Sequence, residues 1–142
     1  MRTVLGIVVV ALLVAACSES SGDPEPWQEA GSYTYTLDSQ CGERDVIGTF
    51  SITVSDHEVE DASALDESGQ ALLDSSGLGQ IPTLQQRYDE FWQAQWGADV
   101  ADKAEIQHAP VDGHPLIITI DWDADAVDDA ACYVISEYQA TG

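Results

Sequence analysis

Residues 121–130 read DWDADAVDDA and follow directly on the apolar run LIITI. Aspartates at alternate positions are the spacing with which calcium loops wrap carboxylate oxygens around one hard cation, and Asp121, Asp123 and Asp125 have it. Counted as an EF-hand loop from Asp121, the sixth position is Ala126, where a glycine makes the sharp turn. The twelfth is Cys132, where a bidentate glutamate belongs. With Asp121 still in a strand and facing away from Trp122, the carboxylates left to converge are Asp123, Asp125, Asp128 and Asp129. Two readings follow: a weak, oxygen-ligated Ca2+ site made by those four, or a solvated turn held by Asx-type hydrogen bonds. In so acidic a chain the turn is the expected one.

The other reactive residue types offer less. His108 and His114 flank PVDG and could face each other across a hairpin, but with His57 far away in sequence no third zinc ligand is evident, and the three histidines are read as surface residues. There is no Gly-x-Ser-x-Gly, and no Gly-rich phosphate loop precedes a helix. Paired carboxylates for glycoside chemistry would need a deep cleft that a small domain with a single helix has little room to form. The expectation is therefore no enzyme and no cofactor, calcium apart, with a small hydrolase as the least favoured reading.

The chain opens MRTVLGIVVVALLVAAC. One basic residue precedes an uncharged stretch, Val4 to Ala16, that is too short to span a bilayer as a helix but right for an export signal. Val14-Ala15-Ala16-Cys17 resembles the lipobox of bacterial lipoprotein signal peptides, in which the cysteine is acylated and becomes the first residue of the mature chain. That resemblance implies a signal peptide over 1–16 and a palmitate-type anchor on Cys17. The protein would then be lipid-anchored at the cell membrane, on its extracytoplasmic side, with more than one acyl chain giving durable attachment. Residues 17–26, ending in the polar GDPEP, read as the lipidated cysteine and a flexible tether, and 27–142 as a single domain.

Outside the cytoplasm disulfides persist, and with Cys17 used as anchor the remaining cysteines are Cys41 and Cys132. A Cys41–Cys132 bridge is the simplest account, with two buried free thiols as the alternative. Because Cys41 continues the alternation of Tyr33, Tyr35 and Leu37, the bridge is expected on the core face. The formal charge of −22 argues against nucleic acid or an anionic lipid surface as partner. It leaves a cationic or protein partner, besides the membrane reached through the anchor.

The elements that position these residues are partly legible. YTYTLDSQC (33–41) alternates with period two; 46–54 is rich in β-branched and aromatic residues; Ser55 to Glu58 turns the chain into a short strand over 59–65. Residues 66–80, rich in Gly and Ser, read as a mobile loop. Thr83 and Gln86 form a capping-box pattern, Leu84, Tyr88 and Phe91 share a helical face, and Gly97 suits the stop. Trp92 and Trp96 are expected in the core beside them, and Trp27 against the point where the chain joins the domain. KAEIQHA, LIITID and CYVISEY read as three more strands. The result is an α+β fold: an antiparallel sheet of about five to six strands with one main helix packed on a face.

The Tyr-x-Tyr strand ending near a Cys, the helix, the turn Gly113-His114-Pro115, the strand Ile118-Thr119-Ile120-Asp121 and the turn Ala126 to Asp129 together resemble an uncharacterised family of small bacterial lipoproteins, catalogued as domain of unknown function 6174. The likeness spans roughly Trp27 to Tyr138. It implies location and fold, and no activity. The functional expectation is thus a membrane-anchored extracytoplasmic lipoprotein acting as a non-enzymatic binding or accessory module, the alternative being a calcium-binding surface lipoprotein. Cys17→Ser should abolish incorporation of labelled palmitate and move the protein from the membrane to the soluble fraction; a variant that still carries the label would refute the anchor.

Overall fold

The computed structural model describes residues 26–42 and 46–141. The expected signal segment 1–16, Cys17, the expected tether through residue 25, and Arg44 lie outside the described residues. The chain forms β1 (Tyr33–Cys41), β2 (Gly48–Ser55), β3 (Glu58–Ala64), α1 (Glu67–Ser76), a 3-10 turn (Gly77–Gln80), α2 (Leu84–Trp96), β4 (Lys103–His108), β5 (Pro115–Asp121) and β6 (Ala130–Ala140). All six strands join one antiparallel sheet in the order β3-β2-β1-β6-β5-β4. No helix among the described residues is long and apolar enough to cross a membrane.

Alternation along each strand assembles the core. Tyr33, Tyr35 and Leu37 pair with Val54, Ile52 and Phe50 of β2, and Leu37 also pairs with Ile135 of β6. Ile118 continues the layer between Tyr133 and Ile106. Those on β1, β2, β5 and β6 are almost fully buried. The opposite face carries Thr34, Ser51, Thr53, Val134 and Ser136 and remains open to solvent, as a one-sided antiparallel sheet can.

Both helices cover the buried face. α2 follows its sequence signals: Thr83 Oγ1 accepts from Gln86 N (3.2 Å), Thr83 N donates to Gln86 Oε1 (2.8 Å), and Gly97 N closes the last turn on Gln93 O (2.8 Å). Leu84, Tyr88, Phe91 and Ala94 form its buried stripe. Trp92 and Trp96, expected in the core, are instead 38% and 77% exposed. Trp92 stands one residue, about 100° round the helix, beyond Phe91, and α2 packs on β4 and β5 at the edge of the sheet, so no strand extends beneath that stripe.

Residues 66–80, expected to be a mobile loop, hold α1 and the 3-10 turn. Asp66 caps α1 by accepting from Gly69 N (2.8 Å), and its other oxygen takes Gln40 Nε2 (3.0 Å) and Thr49 Oγ1 (3.1 Å). The Gly69 N–H bond, against some desolvation, holds the Asp66 carboxyl below the usual carboxylate range, helped by Thr49 and Gln40. Gly69, a poor helix former, is there for contact. A Cβ on it would lie 3.0 Å from Thr49 O and 3.1 Å from Phe50 Cε1, and a Cβ on Gly48 (φ 137°) would lie 2.5 Å from Gly69 N. Two glycines thus let helix backbone meet strand backbone.

Cys41 and Cys132 are direct cross-strand partners, with Cα atoms 5.6 Å apart and the sulfurs at bonding distance. They are half-buried rather than in the core. The register shifts between Ser39 and Cys41, and the extra residue, Gln40, turns Cys41 to the face shared by Cys132, opposite buried Ala131 and Tyr133. Loop-closure entropy over a separation of 91 residues predicts that Cys41→Ser with Cys132→Ser lowers stability by about 4 to 5 kcal/mol in urea unfolding. A loss under about 1 kcal/mol would mean that the denatured chain already holds these strands close.

Candidate functional site

The segment before β1 crosses the end of the sheet and is fixed there by Glu29. One oxygen of Glu29 accepts from the Tyr33 hydroxyl and, at 3.4 Å, from Gln85 N; the other meets His57 Nδ1 at 2.9 Å. Tyr33 Oη in turn accepts from Leu84 N (2.8 Å), so one carboxylate and one phenol satisfy two of the first amides of α2. Negative charge at that helix end is electrostatically favoured. The Glu29 side chain is 6% exposed and that of His57 62%.

His57 is presented by the β2–β3 turn. Asp56 (φ 51°) and His57 (φ 65°) are the two residues between the paired Ser55 and Glu58, which is the two-residue hairpin that needs positive φ at both centres. His57 N also donates to Gly31 O (2.9 Å). A neutral imidazole that donates Nδ1–H to Glu29 leaves Nε2 as an acceptor.

Above this anchor lies a groove of about 650 Å³ lined by Trp27, Glu29, His57, Tyr88, Asp89 and Trp92 among others. Trp27 packs where the chain joins the domain, as expected: its N–H donates to Tyr88 Oη (3.2 Å), and its ring meets Tyr88 edge-on at 5.6 Å and 86°. Tyr88 meets Trp92 in the same way at 5.9 Å and 89°. Behind Trp27 stands Tyr138, stacked on His114 at 4.4 Å. A bulge places it there: Glu137 (φ 52°) and Tyr138 together oppose Tyr35, which turns Tyr138 toward Trp27 and Tyr33.

A model described as a family of unknown function (DUF6174) matches residues 25–140. The chain belongs to the DUF6174 family. No curated protein and no solved structure matches it. The matched span of this DUF6174 protein takes in the whole sheet, both helices and the groove.

The aspartates that prompted the calcium reading form the β5–β6 connection. Asp125 N donates to Asp123 Oδ1 (3.0 Å), Ala126 N to Asp123 O (3.0 Å), and Ala124 N to Asp102 Oδ2 (2.9 Å). Asp128 adopts φ 65°. Among the described residues no three His, Cys, Asp or Glu side chains gather in a way that could hold a metal ion, so Asp123, Asp125, Asp128 and Asp129 are not brought together as a ligand set. His108 binds Gly113 O through Nδ1 (2.7 Å), and His114 binds Asp112 (2.5 Å). Desolvation acts to raise the Asp112 carboxyl, but the hydrogen bonds from His114 outweigh it and hold the group below its ordinary range.

In this DUF6174 protein the residues that sequence reasoning missed are Glu29 and its partnership with His57. They stand 28 positions apart, and neither carries a motif; the faint signal is a histidine in a tight turn, where Asn-Gly is the usual pair. Burial, then the Glu29 hydrogen bond, pushes the Tyr33 phenol well above its usual range, and burial does the same to Tyr35. Both phenols then contribute stability that is complete below about pH 10 and is lost as pH rises further, since the unfolded chain releases those protons first. Tyr33→Phe should cost about 1 to 3 kcal/mol at neutral pH by leaving Leu84 N without its acceptor and removing one donor from the Glu29 carboxylate. It should also flatten the fall in stability toward about pH 11, as read by urea unfolding at both pH values; an equally steep fall in the variant would refute the assignment.

Proposed function

We propose that this DUF6174 protein is a lipid-anchored, extracytoplasmic, non-enzymatic binding module whose ligand sits in the Trp27–Tyr88–Trp92 groove. The observation that carries the reading is the groove itself, of ligand size and bordered by Trp27, Tyr88 and Trp92, of which the first two are buried and Trp92 is left 38% exposed. A large ring exposed beside a cavity of ligand size offers a place of contact. The leader supports the anchor, through the order of basic residue, apolar run, small residues and Cys17.

Binding is preferred to catalysis on the chemistry of the lining. His57, oriented by Glu29, has the form of a general base, but the groove residues include no Ser, Thr, Cys or Lys for it to activate. The imidazole and carboxylate serve instead to fix the floor, joining the pre-β1 segment, the β2–β3 turn and the start of α2.

The test is a fragment titration followed by two-dimensional NMR on isotope-labelled protein, using small neutral, cationic and anionic compounds. Binders should shift the indole signals of Trp27 and Trp92, and Trp92→Ala should abolish those shifts while the sheet signals stay in place. Shifts confined to the open face around Thr34, Thr36 and Glu137, or none at all, would overturn the proposal.

A further inference from the structure

We infer that two copies of this chain pair edge to edge through β4, so that the sheet of one continues into the sheet of the other. The first support is the backbone of that edge. β4 ends the strand order, and among the described strands only β5 pairs with it. Two hydrogen bonds show which of its groups face outward. Ala109 N, just beyond β4, donates back across the hairpin to His114 O (2.8 Å), whereas Ala104 O accepts from Gln95 Nε2 (2.9 Å). Direction alternates along an antiparallel strand, so Ala104 and Ile106 turn N–H and C=O away from β5. The Gln95 amide stands where the N–H of an incoming strand would stand.

The second support is the apolar flank above that edge. Gln95 marks the side of α2 that overhangs β4. Trp92 lies about 60° and Trp96 about 100° further round the helix, away from Phe91. These rings are 38% and 77% exposed, beside a space that no described strand fills. A two-fold axis normal to the sheet keeps both helices on one face and turns the two tryptophan flanks toward each other, the same patch serving both copies. Trp92 also borders the groove, but Glu29, on the groove's far side, bonds Gln85 N at the start of α2, away from the axis.

The third support, charge, selects a second copy as the occupant. Lys103 is the only lysine of the chain, and Glu105 stands two residues on, 3.2 Å away, both side chains well exposed. In an antiparallel copy centred on Ala104, the two Ala104 residues exchange backbone hydrogen bonds. Lys103 of each copy then stands opposite Glu105 of the other, in the closely spaced position between hydrogen-bonded pairs. One ion pair forms on either side of the axis. A uniformly basic strand would instead oppose Lys103 with like charge. The other edge strand, β3, carries Glu58, Glu60 and Asp61 and no basic residue, so copies meeting there would set carboxylates together. The formal charge of −22 makes the chains repel at long range, but at about 0.15 M salt that field fades beyond about 8 Å, and the edge contacts decide.

The experiment is sedimentation equilibrium of the full-length protein in a density-matched non-ionic detergent at about 0.15 M salt. The wild type should dimerise. Lys103→Glu and Glu105→Lys should each weaken the dimer at least tenfold, with circular dichroism unchanged, because each sets like charges opposite one another across the axis. Mixing these two variants should restore pairing as a heterodimer, since each supplies the charge that the other's edge lacks. Trp96→Glu should weaken the dimer tenfold or more. A wild type still monomeric at about 1 mM protein would overturn the inference, and so would a dimer that both charge reversals leave intact. Folded charge-reversed variants that stay apart when mixed would overturn pairing through β4.

Discussion

Everything in this fold hangs on the pairing of β1 with β6. The strand order β3-β2-β1-β6-β5-β4 divides the sheet into a half built from β1 to β3, which carries α1, and a half built from β4 to β6, which carries α2. Among the described strands the two halves meet along one ladder, from Tyr33 opposite Ala140 to Cys41 opposite Cys132. Local hairpins set the register within each half, but nothing local sets it between them. The ladder is therefore fixed by side chains: Leu37 against Ile135 in the core, and the two cysteines beyond the register shift at Ser39.

The groove stands at the opposite end of that ladder from the cysteines, where the start of β1, the end of β6 and the beginning of α2 come together. Each brings a group the others need. β1 brings Tyr33, whose hydroxyl completes the first turn of α2; β6 brings Tyr138, turned inward by the bulge at Glu137; α2 brings Tyr88, whose oxygen accepts from Trp27. Glu29 then ties the pre-β1 segment to two of these elements and to the β2–β3 turn. The polar network fixes the floor, and of the rings held edge to face above it Trp92 is the one left partly exposed.

The strands were legible because each has one wet face, and the period-two alternation of YTYTLDSQC or the β-branched run before Ser55 records it. α2 was legible through Thr83, Gln86 and Gly97, which act locally. α1 was not, since its residues favour a loop on propensity and its stabilisers, Thr49, Gln40 and the close approach at Gly48, come from other strands. The side of the sheet on which Cys41 falls was misread for a related reason: one bulged residue reverses a face, and alternation gives no notice of it. The exposure of Trp92 and Trp96 depends on where the sheet ends. Of the site, Trp27 could be placed from its position after the polar stretch GDPEP, whereas Glu29 and His57 meet only because a turn and the segment before β1 are folded onto the same helix end.

The place of β6 in the sheet also governs when this protein can become native. Among the described strands the last to be synthesised is a central one, so until Ala130 to Ala140 is available the two halves can exist only as separate units. Each would present an open hydrogen-bonding edge, on β1 in one and on β5 in the other. Open edges of this kind invite pairing with other chains, and long-range closure is slow compared with forming hairpins. The sheet must therefore pass through a vulnerable interval whose length is set by the arrival of β6. The outermost strand β3, with Glu58, Glu60 and Asp61 along it, carries acidic residues that discourage stray pairing from the first moment it forms.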